Sequence, residues 1–143
     1  MDLWQVEEIP DCDSLFYRFP VGDLPANGKP FPGMFRENKG SISTDWERYS
    51  TANQTRARQG RPERFAVLRM IVGSIRTIDG LTVSHSPTQN VAGLPDNQAH
   101  TDIFGLELPA PPTNPDLGRK LRIRTELHQR FNTWEIPPGA PIE

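Results

Sequence analysis

The chain has little with which to cross-link itself. Its 143 residues include one cysteine, Cys12, so no internal disulfide can form. Cys12 stands between Asp11 and Asp13, a setting that argues against a nucleophilic thiol. Long apolar runs are missing too. None approaches the ~20 residues of a membrane span, and the acidic start lacks the pattern of a secretion signal. A cytoplasmic protein with no membrane contact is therefore expected. Only three of the 16 basic residues are lysines. The net charge of −2 provides no global pull toward nucleic acid. No GxGxxG, GxxxxGK[ST], CxxC or HExxH run occurs, so neither a cofactor nor a metal is expected. Apolar residues make up 35 % of the chain, too few for a helix bundle or a regular barrel.

Proline and glycine are plentiful, at 15 and 11 residues. Together with the length, they point to one loop-rich α+β domain spanning 1–143, with a mixed or antiparallel sheet and two or three short helices. Ser14–Phe19 has the aromatic content of a strand. Residues 20–40, with Pro20, Pro25, Gly28, Pro30, Pro32 and Gly33, form a long loop. Ser41–Ser43 reads as a brief strand, after which Thr44 or Asp45 caps a turn through Trp46 and Tyr49. Ser50 or Thr51 then caps a polar helix over 52–59, closed by Gly60 and Pro62. Residues 64–72 are nearly all apolar and fit a central strand covered on both faces. Ser74–Asp79 makes a helical turn that Gly80 ends. Core strands follow at 81–85 and near 101–108. Residues 119–128 fit either a strand or a helix. Asn114-Pro115-Asp116 favours a helix over 115–130 capped by Asn114. A last strand covers 133–136, and 137–143 form a stiff prolyl tail.

Charge is segregated along the chain. Residues 1–13 carry five acids and no base, while 48–76 carry seven arginines against Glu63 alone. The simplest expectation is that the acidic start lies over the arginines. The alternative is nucleic-acid contact through Arg56, Arg58, Arg61 and Arg64. Phe65 is the one aromatic residue interleaved with them, too few for a stacking platform.

Two histidines bracket the most unusual stretch, His85 to Asp102. Pro87, Gly93 and Pro95 make it a loop between core strands, a common place for chemistry. His85 and His100 could serve as base and acid on a phosphoester, with Arg18 holding the phosphate. Ser41, Ser43, Asn97 and Asp102 would supply ligand contacts. The bland alternative gives both histidines to loop carbonyls, and Asn90, Asp96 and Asn97 to Asx-turns. Arg18, on an apolar strand, would then pair with an N-terminal acid.

Several segments together resemble a group of small bacterial proteins. They are Leu15-Phe-Tyr-Arg-Phe19, Ser41-Ile-Ser-Thr-Asp-Trp-Glu-Arg-Tyr49, Val83-Ser-His-Ser-Pro87 and Asn97-Gln-Ala-His-Thr-Asp-Ile-Phe-Gly105. The resemblance spans most of 14–136 and carries no activity with it. This chain departs from the group at Phe19, where an arginine is common, and in a longer 87–97 segment. The resulting expectation is a binding or accessory module of a bacterial multi-protein system. A small phosphodiester- or nucleotide-processing enzyme using the histidine pair is the alternative. A protein partner or a second copy would dock on the 20–40 loop and the tail, with Phe31, Met34 and Phe35 exposed.

Overall fold

The computed structural model describes residues 2–143. Strands β1 (Ser14–Pro20), β2 (Ser41–Trp46), β3 (Phe65–Ile71), β4 (Thr82–His85), β5 (His100–Phe104) and β6 (Trp134–Ile136) form one sheet. Its order is β4-β5-β2-β1-β3-β6, and every neighbouring pair is antiparallel. Helices α1 (Ala52–Ala57), α2 (Val72–Arg76) and α3 (Asn114–Arg130) complete an α+β domain.

Alternation along the strands divides the residues between two faces. Leu15, Tyr17 and Phe19 of β1, Ile42 and Trp46 of β2, Leu68 and Met70 of β3, and Ile103 of β5 share one core with α2 and α3. The apolar covering of the opposite face lies at the β1–β3–β6 end. There Phe16, Val67 and Ile136 pack with Ala52 of α1 and Ala140 of the tail. At the β2–β5–β4 end, Ser43, Thr82, Ser84 and Phe104 of that face are exposed.

Several local expectations need correction. Thr44, Asp45 and Trp46 continue β2 and do not cap a turn; Trp46 is fully buried, and its core contacts outweigh a local cap. Thr51, one of the two expected caps, does cap α1 through a reciprocal box with Gln54, but the helix ends at Ala57 rather than 59. Thr113, not Asn114, caps α3, again reciprocally with Asp116, which resolves residues 119–128 as helix. Segment 81–85 is an edge strand with Thr82 and Ser84 exposed, not a buried one. Strand β3 is covered on both faces only in part, since Arg69 and Ile71 are exposed. Gly80 (φ +94°) belongs to a turn in which Leu81 N–H donates to the Ile78 carbonyl. It lies three residues beyond the helix cap Thr77.

The acidic start does lie over arginines. Glu7 pairs with Arg48 and Asp11 with Arg76. The 20–40 loop is not a display surface, however. Met34 and Phe35 are fully buried and Phe31 packs edge-on against Phe19. Helix α3 grips this loop: Arg124 donates to the Phe35 carbonyl, His128 bonds the Pro30 carbonyl, and Lys120 pairs with Glu37. The tail is likewise docked. Arg56, 2 % exposed, donates to the carbonyls of Phe65, Ala140 and Pro141.

Candidate functional site

The sheet is not uniformly paired. β1 runs alongside β3 over seven residue pairs, and β2 alongside β5 over five. β1 and β2 meet only at Leu15–Trp46 and Phe16–Asp45. Beyond those pairs the two strands splay, and a cleft of about 450 Å³ opens between them. Such a volume is that of a small-ligand site. Residues from both strands line it, including Phe16, Arg18 and Pro20 from β1 and Ser43 and Asp45 from β2. Phe65, Thr55, Arg58 and Gln59 close one side. Arg36, Asn38, Asn97 and His100 border it elsewhere. The loop fills the core side of the split. Phe35 stacks on Tyr17 at 6.2 Å, and the Tyr17 hydroxyl donates to the Met34 carbonyl at 2.6 Å.

Asp45 organises the cleft wall. Its Oδ2 accepts from Arg58 Nε at 2.7 Å and from Thr55 Oγ1 at 2.8 Å. Its Oδ1 accepts from Asn97 Nδ2 at 2.8 Å. Arg58 also donates to Ser50 Oγ. A carboxylate 5 % exposed is tolerable because each oxygen is used and a cation neutralises it.

Arg18 is held differently. Its guanidinium lies 4.9 Å from the Phe65 ring centroid, and one terminal nitrogen donates to the Thr55 carbonyl at 3.3 Å. Asp45 and Arg58 act on it with opposite signs. Burial lowers it from its ordinary value; the Asp45 charge raises it and Arg58 adds to the lowering. It remains cationic at neutral pH. No N-terminal acid reaches it, because the acidic segment contacts Arg48, Arg76 and Trp46.

The structure does not bring His85 and His100 together. In the antiparallel register His85 faces Thr101 while His100 faces Asp45, so their side chains leave opposite faces of the sheet. His85 is buried against Trp46 and Tyr49. Its Nδ1 accepts from the Glu7 N–H at 3.0 Å and its Nε2 bonds the Gln98 carbonyl at 2.8 Å. Both nitrogens are therefore committed. His100 borders the cleft with Nδ1 on the Ser86 carbonyl at 3.0 Å and Nε2 3.8 Å from Asp102.

The remaining predicted contacts divide in the same way. Ser41 donates to Asp102 at 2.7 Å, and Ser86 donates to the other Asp102 oxygen at 2.6 Å. Asn97 spends its amide on Asp45 and its oxygen on the Ala99 N–H, an Asx-turn. Ser41 and Asp102 are thus tied to each other away from the cleft lining, Asn97 borders the cleft with its amide engaged, and Arg18, Ser43 and His100 line the cleft. Asp96 accepts from Asn90 N–H, which settles the loop tip. Among the described residues no group of three or more His, Cys, Asp or Glu side chains could hold a metal. Of the arginines expected to meet nucleic acid, Arg56 is buried on carbonyls and Arg58 is bound to Asp45. Arg61 and Arg64 are exposed. No helix among the described residues is long and apolar enough to cross a membrane.

Sequence reasoning missed Asp45, Thr55 and Arg58 as parts of the site. The available signal was a carboxylate, Asp45, in the strand segment between Ile42 and Trp46. Comparison with protein-family models, curated proteins and solved structures finds no match. The resemblance to small bacterial proteins therefore rests on the short motifs alone.

Proposed function

We propose that the protein is a binding module that seats a small anionic ligand in the cleft between β1 and β2. The position of Arg18 carries this reading. It is a half-buried cation lining a concave, partly apolar cleft, and the carboxylate that lines the same cleft, Asp45, already has both oxygens engaged. A guanidinium fork of that kind suits the paired oxygens of a carboxylate or phosphate. Ser43 adds a hydroxyl from the facing strand. His100 without His85 lacks an acid–base partner of its own kind, which favours binding over turnover.

Thermal melting in rising inorganic phosphate, against chloride at equal ionic strength, tests this. A ligand that binds only the folded protein raises Tm progressively with its concentration. Wild type should show that rise and Arg18→Gln should not. Equal responses of the two proteins would refute the reading.

A further inference from the structure

We infer that the cleft takes an extended peptide segment between β1 and β2, with an acidic side chain of that segment on Arg18. This inference rests on the anion-binding reading and names what carries the anion.

The cleft lies against main chain. Five consecutive residues of β1, Phe16 to Pro20, line it, as do Ser43, Thr44 and Asp45 of β2. Successive residues of a strand alternate between faces, so a cavity that touches all of them abuts the strand edges. The bonds on either side show which way those edges point. Glu47 N–H donates to the Ser14 carbonyl, so Ser14 turns its main chain toward β2. Phe16 and Arg18 repeat that direction, because it recurs at every second residue. Trp46 N–H donates to the Ala99 carbonyl, beside β5, so Asp45 and Ser43 turn theirs toward β1. Phe16 and Asp45 make the last pair between the two strands. Ser41, farther along the gap, exchanges both of its bonds with Asn38. Between these, the N–H and carbonyl of Arg18 and of Ser43 face the gap with no pairing from the opposite strand.

An unpaired strand edge is a template for another strand. β1 and β2 are antiparallel, so a segment inserted antiparallel to β1 runs parallel to β2. One of its residues then exchanges both main-chain bonds with Arg18. The residues before and after it bond Ser43, the slanted pattern of a parallel ladder. Three residues therefore meet all four free groups. The lining run from Phe16 to Pro20 covers about 13 Å, enough for that length.

Side chains set the sequence of the segment. The residue opposite Arg18 shares its face of the sheet. Arg36 is paired with Asp23 and Arg58 with Asp45, whereas the hydrogen bond of Arg18 goes to a neutral carbonyl, that of Thr55. An aspartate or glutamate in the opposite position supplies the missing counter-charge. The residues on either side of it point toward the core, where Phe35 is stacked on Tyr17, so small side chains fit there.

Titration calorimetry on the full chain tests the inference with four probes: the capped peptide acetyl-Ala-Glu-Ala-amide, its Gln counterpart, its form N-methylated at Glu, and inorganic phosphate. The Glu peptide should bind at least about tenfold more tightly than each of the other three. Arg18→Gln should abolish the phosphate signal and erase the difference between the Glu and Gln peptides, and its circular-dichroism melt shows whether it is folded. N-methylation alters the probe and leaves the protein untouched, so its outcome is independent of folding. An N-methylated peptide that binds as tightly as its parent would overturn the main-chain pairing. Equal binding of the Glu and Gln peptides would overturn the acidic assignment. Phosphate binding at least as tightly as the Glu peptide would overturn the peptide inference while leaving the anion reading standing. No binding of any probe at about 10 mM would overturn both readings.

Discussion

Removing the Asp45 carboxylate should be among the most damaging single changes on the outer face of the sheet. Asp45→Ala orphans three donors at once: Arg58 Nε, Thr55 Oγ1 and Asn97 Nδ2. Hydrogen bonds to a charged group contribute about 1.5–3 kcal/mol each, but the three losses do not add in full. Thr55 keeps its contact with Ser50 Oγ, and the Arg58 side chain is 26 % exposed and regains water. Breaking a fully buried pair costs about 3–5 kcal/mol, so the partial exposure here brings the expected loss to about 3 kcal/mol. Asp45→Asn is subtler. Its amide nitrogen would face either Asn97 Nδ2 or the Arg58 and Thr55 donors, and Asn97 cannot turn over without abandoning the Ala99 N–H. A swap resolves the conflict. In Asp45→Asn with Asn97→Asp, the new amide donates to the new carboxylate, which still accepts from Ala99. Urea unfolding at neutral pH, with m-values compared across the four proteins, should show the double variant recovering about 1 kcal/mol relative to the sum of the singles. A loss below about 1 kcal/mol for Asp45→Ala, or strictly additive singles, would refute this account of the cleft wall.

The two histidines should separate cleanly in denaturant titrations. His85→Ala loses two hydrogen bonds and an edge contact with Trp46 and should cost about 2–4 kcal/mol, whereas His100→Ala should cost about 1 kcal/mol or less; similar losses would contradict their placement on opposite faces. Gly105→Ala should destabilise severely or prevent folding, because at φ +131° its Cβ would meet the Gly80 carbonyl oxygen at 2.1 Å; a soluble variant with an unchanged melt would show that approach to be wrong. Glu37→Gln should flatten the acid limb of stability. Burial raises the Glu37 carboxyl, but the Lys120 hydrogen bond, its own backbone and the Lys120 and Arg124 charges outweigh that and hold it below its ordinary 4.5. Its contribution is therefore present above 4.5 and lost as pH falls through the lower folded value. The stability gap between wild type and variant should narrow on acidification in urea titrations taken from pH 7 to pH 3; a constant gap would remove Glu37 from the clamp on α3.

Much of the sheet was legible because strand formation follows local apolar content. Ser14–Pro20 and Phe65–Ile71 carry that content in their own residues. Both reciprocal caps are also local, although at α3 the threonine prevailed over the neighbouring asparagine. Long-range matters were not legible. The face on which a histidine emerges depends on register, which no segment specifies alone, and one residue of offset puts His85 in the core and His100 at the cleft. Phe31, Met34 and Phe35 looked displayed because prolines surround them, yet α3 lies against the far side of that loop and buries it. Arg56 looked like a surface cation, but its partners are carbonyls of β3 and of the tail, the latter more than 80 residues away. Arg18 was singled out because a cation on an apolar strand needs a reason. The splaying of β1 from β2 that supplies that reason had no signature in either strand.

The clamped loop has a consequence for how such a molecule can change. From residues 31–38, Arg36 and Asn38 line the gap between β1 and β2, and Phe35 stacks on Tyr17, itself a lining residue. Lengthening that stretch, or exchanging its aromatic residues for smaller ones, would alter the depth and shape of the gap while every strand kept its neighbour. If the proposed binding role holds, preference for one guest over another would be inherited separately from the scaffold. Related chains could share all six strands and hold quite different molecules, and sequence variation in 31–38 would be the place to read which.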